Sequence, residues 1–537
     1  MKKYFLLLLI TFQIITFATE IDKKTITDWS NTGSHFIIPA TAKTVSIIDF
    51  GAKADNVFDN SAALQNAIKS FNGNFGIINI PTGNYLFKKS ISIPSNILIK
   101  GAGSDKTILN FNLNGNGDLF SIQGNLTTNS SPISSGTNKD SKIINVANAA
   151  NFAIGDYCIV RQSADYLLYN NWSYNSFFQI IKIASVDGNN ITFENPLRLD
   201  FPTKNNPVLV KINPVQNIGI ESLKIKRLDG TSSNQTSNIF FNFAVNCWIK
   251  GVESELTNYA HFTLQSSANI TVSGNYLHDA FDYGSGGKAY GVVLQFGSGD
   301  NFIYDNIAKH LRHSFLLQAQ ANGNVIAYNY STDPFWKETW LHDNAAGDIV
   351  LHGNYPYSNL FEGNIVQNIV IDNSHGANGP FNTFFRNRIE NYGLVMNGNA
   401  GEHMNSFANE ITGSGILKGL YGFTGDNVEI ANNIKGNIRD GSIIETSLIS
   451  KDYSANIGPP NILNSWKNDA YNRYLKPIKT YSSVTYIETK KETGKQDTIA
   501  KPKPAVKPKT TVTKKPVTKK KTTVSKAPVK KPVAKKK

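Results

Sequence analysis

Asn324-Val325-Ile326-Ala327-Tyr328-Asn329-Tyr330 is a short run of β-branched and aromatic residues bracketed by Asn. It is too brief for an amphipathic helix and has the composition of a strand. Its frame is an apolar residue, two residues of any kind, then Asn. That frame recurs at Val272…Asn275, Ile303…Asn306, Ile326…Asn329, Phe361…Asn364, Phe384…Asn387 and Ile430…Asn433. A degenerate copy stands at Ser406…Asn409 and an earlier candidate at Phe243…Asn246. From Asn275 the intervals between Asn residues are 31, 23, 35, 23, 22 and 24, a base period with two longer copies that hold insertions. Repetition at this period signals a solenoid. No helical pattern recurs within the unit, which excludes leucine-rich, ankyrin and tetratricopeptide arrays. Three short strands and three turns per coil, a parallel β-helix, fit the length. Stacked Asn amides at one corner would bond to each other and to backbone groups that a sharp turn leaves open.

Outside the repeats, Val45-Ser46-Ile47-Ile48-Asp49-Phe50-Gly51-Ala52-Lys53-Ala54-Asp55 leads to Asp59-Asn60-Ser61. A helix follows with Ala63, Leu64, Ala67 and Ile68 on one face and Asp59 or Asn60 as N-cap. Its expected role is to cover the open end of the solenoid core. Gly76-Ile77-Ile78-Asn79-Ile80-Pro81-Thr82-Gly83-Asn84-Tyr85 and Ile97-Leu98-Ile99-Lys100-Gly101-Ala102-Gly103 come next. These blocks resemble the N-terminal region of the pectate-lyase superfamily, in its polygalacturonase-like and rhamnogalacturonase-like branch. The resemblance covers residues 45–110 and, in style, the Asn-rich coils to about 440. It implies a single-stranded right-handed parallel β-helix that acts on or binds polysaccharide. It does not imply one reaction, because that fold hosts lyases, hydrolases, epimerases and adhesins. The Asn-Thr-Asp, Gly-His-Gly and Arg-Ile-Lys motifs of polygalacturonases are missing from the sequence.

The chain of 537 residues is thus read as all-β, in six segments. Residues 1–18 form a signal peptide, from Lys2 and Lys3 followed by the apolar run Tyr4 to Phe17. Residues 45–140 form the N-terminal cap and first coils, 141–212 a small β insertion, 213–440 the grooved coils and 441–488 a closing segment. Residues 489–537 form a disordered tail rich in Lys and Pro. Within the insertion, Tyr166, Tyr169, Trp172 and Tyr174 are either a sugar-stacking platform or a loop packed on the solenoid.

The net charge of +14 belongs to the tail. Residues 501–537 hold 15 Lys and no acid, and the rest of the chain has 39 basic against 40 acidic residues. A near-neutral body disfavours nucleic acid as partner. The tail is instead suited to an anionic cell-surface polymer, or serves as a solvated extension. The expected location is secreted, periplasmic or cell-surface, as a monomer without a transmembrane anchor. Cys158 and Cys247 cannot form a disulfide framework; they are two buried thiols or a single bridge.

Eight of the nine histidines lie between His261 and His403. Four residues beyond each ladder Asn the chain reads Asp279, His310, Asp333, Asn368 and Asn391. Coils stack ~4.8 Å apart, so Asp279, His310 and Asp333 should form a column. Three positions on stand Asp282, His313 and Trp336, with Arg312 adjacent. Catalysis is assigned to Asp279, His310, His313 and Asp333. Substrate binding is assigned to Arg312, Trp336, Lys337, Trp340, His342, His375 and Arg386, and a Ca²⁺ site to Asp279, Asp282 and Asp333. Cleavage of an acidic polysaccharide by β-elimination leads, with His310 or His313 as base and Arg312 or Ca²⁺ neutralising the uronate. The alternatives are a glycoside hydrolase using the Asp279/Asp333 pair, a non-catalytic adhesin or scaffold, and plain corner chemistry for the column.

Overall fold

The computed structural model describes residues 19–449 except 231–233, 340, 341 and 440; the signal-peptide and tail readings lie outside them, as does the closing segment beyond residue 449. Twelve strands, one per coil from Lys43–Ser46 to Val428–Ile430, pair in parallel along one side. The short spans and β-branched composition of the repeat produce three-residue strands such as Thr271–Ser273, Phe302–Tyr304 and Val325–Ala327, in register Val272↔Ile303↔Ile326. After each corner the chain enters a second long sheet. There Tyr276–His278 stacks on Ile307–Lys309, and Tyr290–Gln295 on His313–Leu317. The chain is a right-handed parallel β-helix whose inward Ile, Leu, Val and Phe form one continuous core.

At the corners the Asn ladder closes as amide chemistry requires. The Nδ2 of each Asn donates to the Oδ1 of the next along 275, 306, 329, 364, 387 and 409. Each Oδ1 also accepts the backbone N–H of the Asn one coil before. The last rung is Asn432, not Asn433, because it is the Asn432 Oδ1 that meets Asn409. Asn246 lies outside the ladder and donates to the Tyr157 hydroxyl. A second ladder, Asn301, Asn324, Asn359 and Asn382, runs beside the first. It escaped the repeat reading because its frame places Asn just before each strand rather than after it.

The helix Ser61–Lys69 buries Ala63, Leu64, Ala67 and Ile68. Asn60 holds the N-cap position, but its side chain is engaged elsewhere, accepting from Lys53 N. Asp59 accepts the Ser61 N–H instead.

The insertion is a closed six-stranded antiparallel barrel with its own core. Its first strand is Asn125–Ser135, paired with Val208–Asn213, so it departs from the solenoid before residue 141. That strand is rich in Asn, Ser and Thr and largely exposed, which hides it from an apolar-alternation reading. At the neck, Gly124 has no room for a Cβ, which would stand 2.6 Å from the carbonyl oxygens of Asn213 and Phe243. Cys158 is buried in the barrel and Cys247 in the solenoid, both as free thiols. The N-terminal segment straps the outside of the first sheet, with Trp29 Nε1 donating to the Ser358 carbonyl and Ile21 and Trp29 packed on Phe302 and Leu360.

Candidate functional site

Asp279, His310 and Asp333 do stack in a column. Each has a positive φ (61°, 51° and 55°), the left-handed corner that Asp, Asn and His tolerate better than most residues. His310 Nδ1 lies 2.9 Å from Asp333 Oδ2 on the next coil. Asp279 turns the other way, its Oδ2 2.8 Å from His278 Nδ1, and His278 Nε2 reaches Glu253 Oε1 at 3.2 Å. Lys224 completes this strip at Glu253 and Glu255. The strip is a charge-compensated corner, and none of the three column residues lines the large cavity on the second sheet.

The proposed Ca²⁺ trio does not converge. Asp282 lies between Lys288 Nζ and Lys337 Nζ, each 2.5 Å away, and these two ammonium groups hold its carboxyl well below the usual range. Among the described residues, the one group of three potential ligand atoms within 4.8 Å of one another is Glu253, Glu255 and His278, already bridged by Lys224. Lys337 is exposed and engaged by Asp282. His342 is exposed at the start of the turn Asp343–Ala345. Trp340 lies outside the described residues. Arg386 belongs to the other side of the coil, where Nε and Nη2 donate to the Glu445 carbonyl and the guanidinium covers Phe385. Its place follows from the strand Thr383–Phe385, which is on the first sheet rather than the second.

The remaining assignments meet in a cavity of about 1130 Å³ on the outer face of the second sheet, and others join them there. Its floor is the outward side of the stacked strands. Val350, Val370 and Val395 are in register there. One position beyond the register Leu317↔Leu351↔Ile371↔Met396 stand Gln318, His352, Asp372 and Asn397. This polar row continues through Gln295 and Gln265, linked by amide hydrogen bonds of 2.8 and 3.0 Å. The walls are the loops carrying Gly286 and Trp336, and Trp172 reaches in from the barrel.

Arg312 is nearly buried and, among the described residues, pairs with no carboxylate. Its Nη1 donates to the carbonyls of Gly284 (2.9 Å) and Gly286 (2.6 Å), its Cζ lies 4.9 Å from the centroid of the Trp336 ring, and its Nε has no hydrogen-bond partner among the described residues. Beside it, His313 Nδ1 donates to the Gly347 carbonyl at 2.9 Å, which leaves Nε2 with its lone pair. Burial, then Arg312 and His352, hold His313 well below the ordinary histidine value, so it is neutral. His352 Nδ1 is 2.6 Å from Asp372 Oδ2, off the line of a good hydrogen bond. Burial raises the Asp372 carboxyl, but His352 and Ser374 outweigh it and keep the group ionised. His375 meets His352 edge-on at 4.6 Å and Trp172 at 5.9 Å, and burial lowers its pKa.

His352 was missed by reasoning from the Asn corners, since it lies on the next side of the coil. A signal existed in a polar residue closing each apolar run: Leu264-Gln265, Leu294-Gln295, Leu317-Gln318, Leu351-His352, Ile371-Asp372 and Met396-Asn397.

Residues 44–280 match the family described as rhamnogalacturonase A/epimerase, pectate lyase-like. Among solved structures it is similar to tailspike gp49 of Pseudomonas phage LKA1 (16% identity, 69% of this chain and 64% of that one, TM-score 0.51). It is likewise similar to tailspike gp61 of Pseudomonas phage phi297 (14%, 70% and 68%, TM-score 0.51). At these identities the likeness is one of fold. A pre-neck appendage protein of Bacillus phage phi29 is 33% identical over 85 residues, 16% of this chain and a tenth of that relative's length.

Proposed function

We propose that the chain acts on an acidic polysaccharide and that the Arg312–His313 cavity is where it does so. The reading rests on one observation: a nearly buried guanidinium that has no acidic partner among the described residues, next to a neutral imidazole whose Nε2 makes no hydrogen bond to them. A buried cation is costly unless an anion joins it, and a uronate carboxylate would fill that role. With the carboxylate held by Arg312, the adjacent ring proton becomes acidic enough for His313 Nε2 to remove. The electron pair forms the sugar double bond as the glycosidic C–O bond breaks. The departing oxygen takes a proton from His352, which Asp372 braces. The same first step, with return of a proton to the opposite face, would serve epimerisation.

Hydrolysis by paired carboxylates is less well supported, because Asp372 is the one carboxylate among the described cavity-lining residues and Asp279 and Asp333 are elsewhere. Export remains an expectation from residues 1–18; no helix among the described residues is long and apolar enough to cross a membrane.

The test is a panel of uronate polymers, read by the ultraviolet absorbance of the unsaturated product and by reducing ends. Elimination gives both signals, and His313→Gln should lower them by roughly a hundredfold or more. Reducing ends without absorbance would favour hydrolysis. Retention on a polysaccharide affinity gel with neither signal would establish the binding-only role of an adhesin.

A further inference from the structure

The barrel loop between Tyr157–Arg161 and Phe178–Asp187 carries four large exposed aromatics within nine residues: Tyr166 (69% exposed), Tyr169 (68%), Trp172 (41%) and Tyr174 (45%). Exposed apolar rings gathered on one loop are a feature of recognition surfaces. The loop is held to the solenoid beside the cavity. The backbone N–H groups of Tyr169 and Asn170 donate to Asn354 Oδ1 at 2.9 and 3.1 Å, and Asn354 Nδ2 returns a bond to Asn170 Oδ1. Asp165 closes the loop by accepting from Asn175 N, and the Tyr166 hydroxyl accepts from Asn205. The rings are therefore presented on a braced frame. Trp172 joins the two regions, because it lines the cavity and meets His375 and Phe296 edge-on while keeping an exposed portion.

We propose that this loop is a second carbohydrate-binding element, on which Trp172, Tyr169 and Tyr166 stack against successive pyranose rings of the chain that leaves the Arg312–His313 cavity. The inference rests on the acidic-polysaccharide reading and adds a subsite outside the reacting centre. A pyranose ring offers apolar C–H faces, and rigid aromatics bind such faces with little loss of side-chain freedom. The loop holds one charged residue, Asp165, already committed to the backbone. Its contribution should therefore be insensitive to salt, whereas capture of a carboxylate by Arg312 should weaken as salt rises.

The experiment measures binding to trisaccharide and dodecasaccharide fractions of polygalacturonate, alginate and hyaluronan, in the His313→Gln background so that the ligand survives. Tyr166→Ala/Tyr169→Ala should bind the dodecasaccharide roughly five- to a hundredfold more weakly, by the same factor at low and high salt, and the trisaccharide as the background does. Equal affinity of the double variant for the dodecasaccharide overturns this proposal and leaves the cavity reading standing. Failure of the unsubstituted protein to bind or cleave any of the polymers overturns the cavity reading, and the loop's role with it.

Discussion

His310 Nδ1 lies 2.9 Å from Asp333 Oδ2 one coil away, at a solvent-facing corner, whereas His313, three residues on, is buried against the cavity. The 310–333 pair is thus a partly exposed contact between an imidazole and a carboxylate, of the kind that contributes little. His310→Ala or Asp333→Ala should leave polymer binding and turnover within a factor of about two and lower stability by ~1 kcal/mol or less. Thermal melts and the product assay check both values together, and a large loss of turnover would return the reaction to the corner column.

Arg312 separates charge from shape. Arg312→Met removes the cation but keeps an apolar stem against Trp336, so acidic-polymer binding should fall at least tenfold while the melting temperature changes little. Arg312→Lys keeps the charge but not the guanidinium over Trp336 or its paired bonds to Gly284 and Gly286, and should recover binding only in part. Titration calorimetry on the same polymer fraction ranks the three proteins.

Asn329 uses its whole amide. Nδ2 donates to Asn364 Oδ1 and the Ile303 carbonyl, and Oδ1 accepts from the backbone and side chain of Asn306. Asn329→Ala strands these buried partners and should cost ~3 kcal/mol or more, read from denaturant unfolding. Asn329→Asp should be comparably damaging, because the two donations disappear and a buried charge takes their place.

His261 is buried and neutral, its pKa lowered to about 3 by burial, with Nδ1 facing the Ser254 hydroxyl and Nε2 the Asp279 carbonyl. Its folded pKa lies below the ordinary histidine value of 6.5, so the stability it protects is present above that pH and is lost as pH falls below it. Melts between pH 7 and 5 should show a loss approaching ~1.4 kcal/mol per pH unit from this residue, reduced in His261→Gln.

Asp348 acts in the opposite sense. Burial raises its pKa to about 7 despite hydrogen bonds from Ser331, Gln367 and Asn368. The folded state then keeps a proton that the unfolded chain releases near 3.8, so this residue removes stability as pH rises from about 4 to about 7. Asp348→Asn can accept from both backbone donors and donate to Ser331. It should be at least as stable as the parent at pH 7.5 and should unmask the full histidine-driven slope below pH 6.5.

The solenoid and the capping helix are legible in the amino-acid order because each depends on spacing within a few residues. Asn275, Asn306 and Asn329 advertise the corner, and Ala63, Leu64, Ala67 and Ile68 the buried helix face. The barrel's first strand was not legible, since a mostly exposed, Ser-rich strand has no alternation to read. The column of Asp279, His310 and Asp333 was correctly placed at one corner, but stacking does not state which neighbours neutralise it. Asp279 is engaged by its neighbour His278, which reaches Glu253 and through it Lys224 on the preceding coils, while His310 turns to Asp333. Which face of the second sheet opens into a cavity was likewise set by two loops and a barrel distant in the chain. Repeat periodicity is a local property, carried by backbone geometry and amide pairing, and so it survives in one dimension. The chemistry of the trench depends on burial and unpaired charge, and those exist only once Arg312, His313, His352 and Asp372 have been brought out of water together.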